Sequence, residues 1–118
     1  MSSPPPEFPL QVAEENGRIT VRFPANTTLS ETNAAEFWRA MFALIEGKEH
    51  PHLLVDLGGV SMLTSVILAK LVALNTALRE TGGRLTLFNP VPGVQQVFKI
   101  THLDSFLDLH ADAQPLPT

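Results

Sequence analysis

The sequence predicts an α/β fold: one domain on a mixed, largely parallel β-sheet that opens with a β-hairpin and carries helices packed on it. Three observations predict it. Apolar residues alternate at period two on both sides of Asn16-Gly17, the pattern of an antiparallel hairpin with a two-residue turn. Leu53 to Leu57 form a short, nearly continuous apolar run, the composition of a strand covered on both faces. Beyond it, stretches with helical spacing alternate with short strand-like runs, which implies parallel pairing through right-handed crossovers. The chain's 118 residues suffice for one core and not for two.

Taken in order, Leu10 and Val12 pair as a strand with Ile19, Val21 and Phe23 across the Asn16-Gly17 turn. Thr28 and Glu31 stand at the spacing of a capping box, and Ala34, Phe37, Trp38, Met41, Ala43, Leu44 and Ile45 follow at helical spacing until Gly47. The run Leu53–Leu57 is the next strand, ended by Gly58-Gly59. From Ser65 to Thr81, Ile67, Leu71, Leu74 and Leu78 recur at spacings of four, three and four, a helix stopped by Gly82-Gly83. Arg84 to Phe88 alternate as a strand, Pro92 suits the first turn of a short helix with Val94, Val97 and Phe98, and Phe106–Leu109 reads as a last strand. The order is β-β-α-β-α-β-α-β. Residues 1–9 and 112–118, rich in proline, read as flexible tails around a domain over 10–111.

Composition narrows function. With no cysteine, the chain has no disulfide, thiolate metal site or cysteine nucleophile, as expected of a cytoplasmic protein. No apolar run approaches the roughly 20 residues that span a bilayer, so no membrane role is expected. Eight Lys and Arg are scattered singly in a chain of net charge −4, so nucleic acid is not an expected partner.

Candidate chemistry is sparse. His50 and His52 flank Pro51 without a third ligand at metal spacing, and the glycine pairs lack the pattern of a phosphate-binding loop. Ser65 has no flanking glycines of a nucleophile elbow, the acidic residues form no evident catalytic pair, and no cofactor is implied. Trp38 and Phe42 read as core, or as apolar surface left for a partner. The segment from Gly59 to Ile67 differs from the rest, because it leads from a strand into the N-terminus of the strongest helix. Unpaired N–H groups and the positive dipole end make that a sensible place for a phosphorylated hydroxyl. The plainer reading of Thr64 or Ser65 is an N-cap, contributing on the order of 1 kcal/mol.

Three stretches carry a family likeness. Leu54-Val55-Asp56-Leu57-Gly58-Gly59-Val60 through Ser65, Gly82-Gly83-Arg84-Leu85, and Val94 through Val97-Phe98 to Thr101-His102-Leu103-Asp104 stand in the order found in the STAS family. The chain resembles bacterial anti-sigma factor antagonists over roughly Leu10 to Leu109. The resemblance implies a non-enzymatic signalling protein that binds an anti-sigma factor of the serine-kinase type and is switched by phosphorylation. In the family the acceptor segment reads Asp-Ser-Ser/Thr-Gly-Leu, so Ser65 falls on the acceptor position. Thr64, Val66 and Ile67 replace the aspartate, the second hydroxyl and the glycine; Ile67 is expected to place a β-branched side chain where a kinase would otherwise meet bare backbone. Asn26 stands where the family often has an acidic residue. The expected partner surface is Asn26, Asp56, Thr64, Ser65, Val66 and Ile67. The alternative is a phosphorylation-independent scaffold of a stress-signalling assembly, with self-association as a homo-oligomer left open.

Overall fold

Turn chemistry and side-chain periodicity set most of the architecture in the computed structural model, which describes residues 10–111; the expected tails lie outside the described residues. Strands β1 (Gln11–Glu15) and β2 (Arg18–Arg22) are joined by Asn16 and Gly17, both at positive φ (53° and 80°), as a type I′ turn requires. There follow β3 (Thr27–Leu29), α1 (Ala34–Ile45), β4 (His52–Asp56), β5 (Val60–Leu63), α2 (Ser65–Glu80), β6 (Arg84–Phe88), α3 (Pro92–Ile100) and β7 (Asp108–His110). The main sheet has the order β1-β2-β4-β6-β7, with β1 antiparallel and the other four strands parallel. Each crossover steps one strand the same way, so right-handed connections place α1, α2 and α3 on one face.

That face carries the core. Ile19, Val21, Leu53, Val55, Leu85 and Leu87 meet Phe37 and Met41 of α1, Ile67, Leu71, Leu74 and Leu78 of α2, and Val94 and Phe98 of α3. The expected stripe on α2 is thus the buried one. Its end is a Schellman motif: Gly82 lies at φ 77°, Gly82 N–H donates to Arg79 C=O at 3.1 Å and Gly83 N–H to Leu78 C=O at 2.7 Å.

Two expectations are corrected. First, β3 and β5 form a separate two-stranded parallel ribbon, where the sequence pattern predicts no strand. Thr28 therefore opens no helix; it lies in β3 opposite Met62, and α1 begins at Ala34 after Asn33. The Asn33 side chain holds the turn before the helix, accepting from Ser30 N–H at 2.9 Å and donating to Thr28 C=O at 2.8 Å. Second, the last strand is Asp108–His110 rather than Phe106–Leu109, because Leu107 N–H is used in a turn to Leu103 C=O at 2.8 Å. The expected hairpin forms, with β1 as an edge strand that has no buried residue and Val12 46% exposed.

A polar chain crosses the sheet face away from the helices. The Asp108 carboxylate accepts from Thr86 Oγ1 at 2.9 Å and Arg84 Nη2 at 3.1 Å, and its Oδ1 lies 2.8 Å from His110 Nε2. With its proton given to Asp108, the Thr86 hydroxyl accepts from His52 Nε2–H at 2.8 Å, which fixes the histidine tautomer. Burial, then Arg84 and Arg18, hold the His52 imidazole below its ordinary value against the opposing pull of Asp108. Burial would raise the Asp108 carboxyl, but the Thr86 hydroxyl, His110 and Arg84 together bring it below its ordinary value.

Both shifts have the same sign for stability. The unfolded chain binds these protons more readily, so folding stability is full above the unfolded values and falls as pH drops through them, first for His52 and then for Asp108. Thermal melts are therefore expected to show a falling midpoint from pH 7.5 to pH 5, and His52→Gln, which keeps a donor without titrating there, should flatten that slope. An unchanged slope in the variant would remove His52 from the account. Gly59 gives a second test. A Cβ there would run into the Phe23 carbonyl oxygen and stand 2.7 Å from that of Pro24, so Gly59→Ala should cost about 1–3 kcal/mol in denaturant unfolding.

Candidate functional site

The carboxyl ends of β2, β4 and β6 bring Arg22, Asp56 and Phe88 into one row. Asp56 is committed there: Oδ1 accepts from Gly58 N–H at 2.8 Å and Asn89 Nδ2 at 3.1 Å, and Oδ2 from Arg22 Nε at 3.2 Å. Its side chain is only 14% exposed. The carboxylate bends the chain out of β4 into Gly58-Gly59, and the absence of a side chain on Gly59 lets that backbone pass against the carbonyls of Phe23 and Pro24. Thr27 N–H then donates to Gly59 C=O at 2.9 Å, and Thr27 Oγ1 to Pro24 C=O at 2.6 Å. These bonds hold the loop in which Asn26, at φ 64°, is exposed.

At the other end of the ribbon β5 runs into α2. Thr64 N–H donates to Leu29 C=O at 3.0 Å, and the Thr64 carbonyl accepts from Ile67 and Leu68 N–H at 3.0 and 3.1 Å. Thr64 occupies the N-cap position in extended conformation, yet its side chain makes no capping bond; Oγ1 is buried with no hydrogen-bond partner. Ser65, the first residue of α2, is exposed. The helix therefore starts without a side chain satisfying its first N–H groups, beside a free-standing hydroxyl.

Five of the six expected surface residues are brought to one strip, though not to one point. Because β3 and β5 are parallel, Asn26 and Asp56 lie near the Gly59 end and Thr64 and Ser65 near the Leu29 end, about 13 Å along the ribbon at ordinary strand rise. Asn26 and Ser65 are exposed, while Asp56, Thr64 and Val66 are half-buried. Ile67 is corrected. Its side chain is 0% exposed and belongs to the core, so it does not stand in the way of Ser65. Sequence reasoning missed Thr28, Ser61 and Met62, which fill the strip between the two ends; Met62 is 58% exposed. No local signal in the sequence marks them, since the exposure of Met62 between buried Val60 and Leu63 is set by the ribbon's pairing.

On the neighbouring helix, Trp38 stacks on Phe42 with ring centroids 5.7 Å apart, and Lys70 Nζ lies 5.7 Å from the Trp38 ring. Trp38 is half-buried and Phe42 is 37% exposed, between the two readings the sequence allowed. Among the described residues no group of three His, Asp or Glu side chains could hold a metal ion, and no helix is long and apolar enough to cross a membrane.

Comparison with known proteins places this geometry. No curated protein matches the chain in sequence. Among solved structures, an anti-sigma-factor antagonist (STAS) domain protein from Planctomyces limnophilus is 25% identical with a TM-score of 0.78, over 87% of this chain and 90% of that one. An anti-sigma factor antagonist from Mycobacterium paratuberculosis is 23% identical with a TM-score of 0.76, over 94% and 92%. The antagonist SpoIIAA, known from Bacillus and solved in unphosphorylated and phosphorylated forms, shares the fold at 18% identity and a TM-score of 0.65 for the unphosphorylated form, over 90% of each chain. The family model of the STAS domain matches residues 11–114. The hairpin, the parallel sheet with three helices on one face and the strand-to-helix segment that carries Ser65 are accounted for together: the chain belongs to the STAS domain family.

Proposed function

We propose that this protein is an anti-sigma factor antagonist that acts by binding rather than by turnover. Its partner is an anti-sigma factor with serine-kinase activity, docked along the strip from Asn26 to Ser65. The observation that carries the reading is the isolation of one hydroxyl. In the segment at the start of α2, Thr64 Oγ1 is buried, Val66 is half-buried and Ile67 is in the core, while Ser65 alone faces solvent. Membership of the family and the antagonists among its structural relatives support the same reading.

In the switching step Ser65 Oγ attacks the γ-phosphorus of a nucleoside triphosphate held by the partner. The bond from the γ-phosphorus to the bridging oxygen breaks, the nucleoside diphosphate leaves, and the hydroxyl proton passes to a base on the partner. The product carries about −1.5 to −2 charges at the positive end of α2, where the first-turn N–H groups have no side-chain cap. The modified helix is stabilised locally, and the added charge repels acidic groups of a bound partner. Phosphorylation thus changes binding without unfolding the domain.

Phosphosite mapping of the protein from its native cells, isolated under phosphatase inhibition, is expected to find phosphate on Ser65 and none in Ser65→Ala. A Ser65 unmodified across growth and stress conditions would overturn the switch and leave a constitutive scaffold. Ser65→Asp should weaken co-purification of the partner, with folding stability unchanged or raised by about 0.3–1 kcal/mol. Thr64→Val should leave stability unchanged or raise it, since no bond is lost and an unpaired buried hydroxyl is removed, whereas loss of a capping threonine would cost about 1 kcal/mol or more.

A further inference from the structure

Arg18, His52 and Arg84 are the first residues of β2, β4 and β6 and stand opposite one another in the register of the sheet. Their side chains share the face away from the helices, with the two arginine Cα atoms about 10 Å apart and the histidine midway. The row is incompletely neutralised. Arg84 gives one Nη2 N–H to Asp108 and keeps a side chain that is 61% exposed. Arg18 makes no ion pair among the described residues, and its Nε is buried without a hydrogen-bond partner. Glu15, across the β1–β2 register from Arg18, is exposed and forms no ion pair with it among the described residues.

His52 is the centre of the row. Its Nε2–H is used by Thr86, so Nδ1 is the ring atom left to accept or lose a proton. The charged groups around it are Arg18 on β2, Arg84 on β6 and, through Thr86, Asp108 and its partner His110 on β7. Two guanidinium groups beside an imidazole disfavour its protonation, and an anion between them would reverse that balance.

We propose that Arg18, His52 and Arg84 form a binding site for a free inorganic oxyanion of the phosphate type. Arginines flanking the histidine in register, Arg84 with donors beyond the one given to Asp108 on β7, suit a tetrahedral anion, which offers acceptors to both and one more to the ring, better than a flat carboxylate with two oxygens in one plane. Binding takes up a proton: the anion favours the imidazolium, whose Nδ1–H then becomes an additional donor. The site lies at the amino ends of the parallel strands, at the opposite edge of the sheet from Asp56, and does not depend on the function proposed for Ser65.

The test uses the whole chain and sulfate as the probe, because its charge is constant across the histidine range. The His52 ring resonances are followed by NMR against pH in sulfate and in chloride of equal ionic strength. Saturable shifts are expected, with the His52 midpoint raised by about half a unit or more in sulfate. Arg18→Gln should weaken sulfate binding at least about fivefold, and Arg18→Lys less, in line with the lost fork of donors. His52→Gln should bind sulfate with an affinity that no longer rises as pH falls. Amide spectra of each variant check that it is folded. An equal midpoint in the two salts, or a full sulfate response in folded Arg18→Gln, would overturn the site.

Discussion

The carboxylate of Asp56, at the end of the middle strand, accepts three hydrogen bonds from three separate parts of the chain, and the candidate site is built outward from it. Arg22 holds it from β2, Asn89 from the exit of β6, and the Gly58 N–H closes the turn back onto it. Bonds with a charged acceptor are stronger than neutral ones, and here they set the direction in which the chain leaves the sheet. That direction presses Gly59 against the backbone of Phe23 and Pro24, which permits the Thr27–Gly59 bond and starts the β3–β5 ribbon. The ribbon in turn fixes where α2 begins. Asp56 stands at the base of the strip, and its oxygens are occupied by the fold.

The legible parts of the fold were those whose signal is local. Asn16-Gly17 specifies its turn through positive φ, and the spacing from Ile67 to Leu78 specifies a helix face and an end. The ribbon had no such signal. Thr27–Leu29 and Val60–Leu63 are too short for alternation to be read, and each is a strand only because the other supplies its hydrogen-bonding partners. The same tertiary bonds defeat the Thr28–Glu31 spacing, which is real in the sequence but idle in the structure. In β1 the alternation specifies a strand but not its burial, since periodicity says which face a residue takes and not whether anything lies over it.

The site shows how two kinds of sequence argument compare. The likeness to the family put Ser65 on the acceptor position, and helix-start reasoning reached the same segment from the unpaired N–H groups. For Ile67 they diverged. Its place in the stripe Ile67, Leu71, Leu74, Leu78 already assigned it to the core, whereas alignment with the family's glycine suggested a side chain facing a kinase; burial follows the stripe. Thr64 illustrates the limit of residue type as a signal. A threonine at an N-cap ordinarily uses its hydroxyl, yet here the backbone is drawn to Leu29 and the hydroxyl is left inside without a bond. Capping depends on which way the cap residue is pulled, which the neighbouring strand decides.

The geometry also limits how far a charge placed on Ser65 can act. Strands β2, β4 and β6 separate the carboxyl edge, with Asp56, from the amino edge, with Arg18, His52 and Arg84, by about 13 Å for five-residue strands. At physiological ionic strength exposed charges are screened over about 8 Å, so a phosphate on Ser65 is felt within the ribbon, the first turn of α2 and whatever is docked on them. The arginines of the far edge lie beyond that range. Since the core under α2 is closely filled by Ile67, Leu71 and Leu74, a charge at its N-terminus also has no loose element to displace. A switch at this position therefore works by contact: it changes what the strip from Asn26 to Ser65 accepts, and leaves the sheet beneath it as it was.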